Sequence, residues 1–285
     1  MKSGWKIYYS GVLGGIGGLC GWQFSSGLDY SLAGSLYMSE VLVGAVIGAA
    51  IGLFIGAVEL MAGSRVLRVL RSSLITAVLG LIGGAAGLPL AERVFLALGG
   101  SIQARVLGWG VFGLLLGLAA GITGGTQSWK GALGGLIGGL VGGFLLDQAR
   151  QQLQDLVLGK AVGLVLLGAA AGVFLALVVT LLRRAWLEVE SGKMKGSEFI
   201  LDKFAKKDGP SAIIGSSSLK SEIALPDPDI EPQHAILLGE DTHFSIKDIS
   251  LSGTFVRNKK VEVARLSNGA HIRMGNTELS YHEKR

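Results

Sequence analysis

The chain has 285 residues, 49% of them hydrophobic and 16% charged, with a mean hydropathy of +0.52 and 46 glycines. Both features are segregated: 38 glycines precede residue 190, and residues 1–185 carry a net charge of +6 against −1 for residues 186–285. A basic excess confined to the apolar part excludes a nucleic-acid footprint and fits loop charges beside a bilayer, and a single Cys20 excludes an internal disulfide.

From the start, Met1 to Lys6 is short and basic, and Ile7 to Phe24 is apolar and dense in glycine. No small-x-small cleavage site precedes a soluble domain and further apolar segments follow, so this stretch reads as an uncleaved membrane helix. Val41 to Met61, Ser73 to Leu90, Val106 to Ile122, Gly131 to Leu146 and Ala161 to Leu182 are the other candidates to cross about 30 Å of hydrocarbon. The expectation is a bundle of six glycine-rich α-helical spans over residues 1–185.

The spans share a pattern. Ile47-Gly48-Ala49-Ala50-Ile51-Gly52 recurs as Phe112 to Gly117 and as Leu167 to Gly172, at offsets of 65 and 55. Gly17 to Gly21 recurs as Gly83 to Gly87 and as Gly138 to Gly142, at offsets of 66 and 55. Both helices of a pair shift together, which predicts three hairpin repeats of one two-span unit. Glycine at every fourth position lays a smooth stripe on a helix face and allows close backbone approach in lipid, within one chain or between copies in a homo-oligomer.

Lys2, Lys6, Arg65, Arg68, Arg71, Lys130, Arg183 and Arg184 fall on one side of such a bundle, and Arg93, Arg105, Arg150 and Lys160 on the other. The excess of basic residues places the N- and C-termini in the cytosol and the protein in the cytoplasmic membrane. Few ionisable groups lie inside the spans, so a conducting path is the weaker expectation; Glu59 reads as a solvated helix end. Asp147 and Asp155 read as solvating an outside connection, and Leu182 is expected to run as helix through Arg183 and Arg184 into Trp186.

From residue 186 to 285 the grammar changes. Ala212 to Gly215, Glu222 to Leu225, His234 to Leu238, His243 to Lys247, Thr254 to Val256, Val261 to Val263, His271 to Met274 and Glu278 to Tyr281 are short apolar runs bounded by Gly, Pro, Asp, Ser or Asn. They predict an all-β antiparallel sandwich. The four histidines form no metal spacing, Gly131 to Gly143 holds no Gly-Lys-Ser/Thr, and no catalytic constellation or cofactor motif emerges, so the chain reads as a non-enzyme with no cofactor or metal.

The order Gly215-Ser216, Glu222-Ile223-Ala224-Leu225, Glu231-Pro232-Gln233-His234-Ala235, Asp248-Ile249-Ser250, Ser252-Gly253-Thr254-Phe255-Val256 and Ile272-Arg273-Met274-Gly275 resembles the forkhead-associated (FHA) domain, a reader of phosphothreonine peptides. The resemblance assigns Gly215, His234, Gly253 and Thr254 to the scaffold. It places partner contacts on Ser216, Ser217, Ser218, Lys220, Glu231, Gln233, Ser250, Ser252 and Arg257. The family pattern has Arg, Ser and Asn where this chain has Ser216, Glu231 and Ser252, so the phosphate fork, a hydroxyl donor and a backbone clamp are all replaced. A degenerate module on a membrane-anchored scaffold is the first expectation. The alternatives are a pore-type oligomer regulated by this domain, and a phosphothreonine reader whose site is rebuilt from Ser216, Ser217, Ser218, Lys220 and Arg257.

Overall fold

The computed structural model describes residues 3–27, 35–58, 66–123, 128–207 and 209–284. Lys2 and Arg65, used above for topology, Glu59, read as a solvated helix end, and Met61, the expected end of the second span, lie outside them. The chain divides into a helical unit, Gly4–Leu182, and a β unit that begins at Arg183.

The helical unit holds α1 (Ser3–Ser26), α2 (Leu36–Gly56), α3 (Val66–Ala97), α4 (Ile102–Thr123), α5 (Ser128–Gln152) and α6 (Leu156–Leu181). Side chains meet the first free N–H groups of three of them. Ser35 Oγ accepts from Met38 N at 3.2 Å, Ser101 Oγ from Ala104 N at 3.2 Å, and Asp155 Oδ1 from Val157 N at 2.8 Å. Between α3 and α4, Gly99 and Gly100 take φ of +77° and +70°, the left-handed conformation that ends a helix without a Cβ penalty. Among the described residues, five helices are long and apolar enough to cross a membrane; α1, broken by Ser, Tyr and Trp, is not one of the five.

Neighbouring helices touch backbone to backbone. A Cβ placed on Gly14 would lie 2.2 Å from the Gly168 carbonyl oxygen, one on Gly80 2.3 Å from that of Gly48, and one on Gly135 2.1 Å from that of Gly113. On the other side of the same helices, a Cβ on Gly17 would lie 2.8 Å from Ile51 Cα, one on Gly83 3.2 Å from the Leu115 oxygen, and one on Gly138 2.7 Å from Ala171 Cα. Thus α1 packs on α6 and α2, α3 on α2 and α4, and α5 on α4 and α6, closing a ring. Its middle is filled by Ile47, Ile51, Phe112, Leu116, Leu146, Leu164 and Leu167.

Among the described residues of the helical unit, two charges are buried. Lys130, 1% exposed, lies in the first turn of α5 and donates to the Leu182 carbonyl oxygen at 2.8 Å, at the negative end of α6. Asp147, expected in a solvated connection, is inside α5 and 3% exposed; it accepts from Arg105 Nη1 at 3.2 Å and Gln151 Nε2 at 2.8 Å. The reason is helix length: α5 runs on to Gln152, so the polar stretch begins as helix and its first carboxylate packs inward.

The β unit has two sheets. One is β2-β1-β11-β10-β7-β8, from β1 (Ala185–Val189), β2 (Glu198–Ile200), β7 (Thr254–Val256), β8 (Lys259–Val261), β10 (Ala270–Met274) and β11 (Thr277–Glu283). The other is β4-β3-β5-β6-β9, from β3 (Ala212–Gly215), β4 (Ile223–Ala224), β5 (Ala235–Gly239), β6 (Phe244–Asp248) and β9 (Val263–Arg265). Leu187, Ile214, Leu237, Ile246, Ile272, Leu279 and Tyr281 are fully buried between them.

Two local expectations fail here. The last helix does not continue to Trp186: it ends at Leu181, and Ala185–Val189 alternates buried and half-buried residues as β1, pairing with β11 and β2. The run Val261 to Val263 is not one strand, because Val261 closes β8 in one sheet and Val263 opens β9 in the other.

Overpacking a tight contact costs about 1–3 kcal/mol per site. Replacing Gly138 and Gly142 with Leu therefore lowers the thermal midpoint of the detergent-solubilised protein, because Cβ atoms there would meet Ala171 Cα at 2.7 Å and Leu167 Cα at 2.8 Å. Gly4→Ala, with nothing within 4 Å, is the control that leaves the midpoint in place. An unchanged midpoint in the double variant would show that these faces do not pack on α6.

Candidate functional site

Three loops meet at one end of the sandwich: Ser216–Glu222 after β3, Leu225–His234 after β4 and Ile249–Gly253 after β6. The first is tied to the second by Ser216 N to the Glu231 carbonyl at 2.8 Å, Ser221 Oγ to the Pro232 carbonyl at 2.7 Å and Gln233 Nε2 to the Lys220 carbonyl at 3.1 Å. Gly215 makes this approach possible, since a Cβ there would lie 2.3 Å from the Pro232 oxygen.

The second loop is tied to the third by His234, which is fully buried. Its Nδ1 accepts the Glu231 N–H at 3.3 Å, which leaves Nε2 as the protonated nitrogen, 3.3 Å from both the Gly253 carbonyl and Ser250 Oγ. Asp248 completes the third loop. Its Oδ1 accepts from Ser250 N at 3.2 Å, Ser250 Oγ at 2.8 Å and Thr254 Oγ1 at 2.9 Å, and Gly253 N donates to Ser250 Oγ at 2.8 Å. Gly253 takes φ of +93°. Burial alone would raise the Asp248 carboxyl, but the donors from Ser250 and Thr254 outweigh it and hold the group below its ordinary 3.8.

The structure therefore gathers Ser216, Ser217, Ser218, Lys220, Glu231, Gln233, Ser250 and Ser252 on three linked loops, over Gly215, His234, Gly253 and Thr254. Arg257 is not brought there. It follows Val256 at the far end of β7, where its guanidinium donates to Ser267 Oγ and its N–H to the His271 carbonyl at 2.9 Å. Glu231 does more than fill the position of a missing hydroxyl: its Oε1 accepts from Leu251 N at 2.6 Å and Ser252 N at 3.3 Å.

A second clasp lies outside the residues expected from the sequence. Asp227 accepts from Asp229 N at 3.0 Å, Asn276 N at 3.0 Å and Thr277 Oγ1 at 2.8 Å, fastening the β4–β5 loop to the β10–β11 turn. Burial pushes its carboxyl up, and these donors bring it below 3.8. Asp227-Pro228-Asp229 carried a turn signal, but nothing local marked its partner 49 residues away. At the other end of the sandwich a cleft of about 590 Å³ is lined by Thr242, His243, Arg265, Leu266, Ser267, Asn268 and Glu283, none of them an expected contact except through the neighbouring Arg257. Among the described residues no group of three His, Cys, Asp or Glu is placed to hold a metal ion.

Residues 212–275 match the FHA domain family. The chain is 32% identical over 98 residues to the glycogen accumulation regulator GarA of Mycobacterium tuberculosis, covering 34% of this chain and 56% of that protein. For GarA of Mycolicibacterium smegmatis the identity is 33% over 98 residues, covering 34% and 58%. The chain thus spans little more than half the length of these relatives. Among solved structures it is similar to the FHA domain of the CT664 protein from Chlamydia trachomatis, with 28% identity, 36% of this chain and 99% of that one covered, and a TM-score of 0.32.

Asp227 and Asp248 both set an acid limit. A depressed folded-state pKa contributes stability that is complete above the unfolded value of 3.8 and is lost as pH falls through the lower folded value. Unfolding of the β unit, followed by near-ultraviolet circular dichroism, should become easier below about pH 4. Asp248→Asn should cost about 1–3 kcal/mol at neutral pH and reduce that acid dependence. A variant as stable as the parent at pH 7 would show that the loop network is not what Asp248 supports.

Proposed function

We propose that this chain, whose residues 212–275 form an FHA domain, is a membrane-anchored interaction scaffold. On this reading α1 crosses a cytoplasmic membrane together with the five longer apolar helices, so that six crossings over residues 1–185 leave both termini in the cytosol, and residues 186–285 present the three loops to a protein partner. Five long apolar helices support the anchor, as do the large side chains on the outward face of α3, Leu70, Leu74, Val78 and Ile82 among them, which water would not tolerate as one continuous patch. The recurring glycine contacts fit three copies of a two-helix unit: Gly17 on Ile51, Gly83 on Leu116 and Gly138 on Ala171 occupy matching places at the offsets read from the sequence. The GarA relatives are named as regulators, which agrees with an interaction role for the shared domain.

The observation that carries the choice of partner is Glu231. A carboxylate faces the β6–β7 loop, Ser216 supplies no guanidinium, and Arg257 is engaged elsewhere, so the loops are suited to an unphosphorylated protein segment more than to a phosphothreonine. A rebuilt phosphate site that needs Arg257 has no support in this geometry. Nor does a pore along the ring axis, which apolar side chains fill.

Affinity capture with the full chain in nanodiscs tests the partner reading: treating the lysate with phosphatase should leave the captured protein in place, and its loss would overturn the reading. Topology is tested in a Cys20→Ser background. A thiol at Gln154→Cys should react with an external impermeant reagent, and one at Ser267→Cys only after permeabilisation; the reverse pattern would invert the protein in the membrane.

A further inference from the structure

The β6–β7 loop has four consecutive backbone N–H groups, and they divide into two pairs. Those of Ser250 and Gly253 go to Asp248 Oδ1 and Ser250 Oγ, acceptors that belong to the loop's own framework. Those of Leu251 and Ser252 converge on one oxygen of Glu231, a side chain from a different loop. Two adjacent N–H groups aimed at one point make a concavity of positive potential, the geometry of an anion nest. A cation stands next to it: a Cβ built on Gly253 would lie 2.7 Å from Lys260 Nζ.

The nest does not owe its shape to Glu231. Asp248, Ser250, Thr254 and His234 hold the loop through bonds that do not involve the Glu231 carboxylate. The Glu231 backbone is fixed separately, its N–H on His234 Nδ1 and its carbonyl on Ser216 N. The carboxylate can therefore leave by side-chain rotation while both loops stay in place. Because it is attached to the same chain, its effective concentration at the nest is in the millimolar range or above, enough to exclude a dilute external anion.

We infer that the Leu251–Ser252 nest is an anion-binding site that carries Glu231 as an internal ligand, and that an external phosphomonoester enters only when Glu231 is displaced or removed. This inference rests on the reading of these loops as the docking surface, and it adds a gate to it. A partner that draws Glu231 away with a cationic side chain opens the nest to an acidic group of its own.

Hydrogen exchange of the full chain in nanodiscs, followed over residues 249–253, tests this with inorganic phosphate and a degenerate phosphothreonine peptide library as probes. In the parent protein neither probe should change exchange. In Glu231→Ala, exchange at this segment should rise by about tenfold, the scale of one lost charged hydrogen bond, and millimolar phosphate should restore it. No protection by either probe in Glu231→Ala, with exchange in β5 and β6 unchanged, would overturn the nest while leaving phosphatase-insensitive docking standing. Protection of the parent by phosphate would overturn the internal ligand, and tight phosphate-dependent peptide binding by the parent would overturn the docking reading as well. Should Glu231→Ala unfold, Glu231→Gln is read by the same criterion, since it removes the charge and keeps the length.

Discussion

A polar group taken out of water must meet a partner inside the fold, and that requirement shapes both units of this protein. In the β unit one buried imidazole sits between two loops that have no regular structure of their own. His234 can satisfy both ring nitrogens only if the Glu231 N–H and the Gly253 and Ser250 oxygens stand where they do. Asp248 imposes the same discipline one residue layer further on, and Asp227 does so at the next turn. In the helical unit Lys130 and Asp147 obey it with a carbonyl at a helix end and a guanidinium. Removing one partner in such a set leaves a buried group unmet, which costs more than the bond itself contributed.

Between those fixed points the helical unit relies on the absence of side chains. Glycine lets main chains approach to distances no Cβ could share, and dispersion between the closely packed atoms holds neighbouring helices together. The large residues that remain are directed to the ring's middle, where they leave the interior apolar and full, and to its outer surface. This division leaves the large side chains of the helical unit to cohesion, while the exposed polar groups of the three linked loops stand on the β unit.

Much of this was legible in the sequence. The apolar runs, the helix-spaced glycines and the offsets between them placed six helices, and short runs bounded by turn residues placed β3 to β7 and β10 to β11. What escaped did so for physical reasons. β1 follows directly on an apolar helix, and a five-residue alternation is easily absorbed into its end; pairing with β2 and with β11, nearly a hundred residues later, makes it a strand. Asp147 looked solvated because its neighbours are glutamines, while its position on the helix turns it inward. Arg257 is three residues beyond Thr254, and in an extended strand that small separation is enough to carry it about 10 Å from the loop it was expected to serve. The sequence showed that Glu231 replaces a hydroxyl, but its hold on Leu251 and Ser252 depends on a contact across 20 residues.

The pairing of β1 bears on how tension would pass through the molecule. Only Leu182, Arg183 and Arg184 separate the last apolar helix from β1, and β1 is no edge strand: it lies between β2 and β11, with five residue pairs to β11 alone. A pull applied to β1 would load the ladders to β2 and β11 together, because the strand is hydrogen-bonded on both sides.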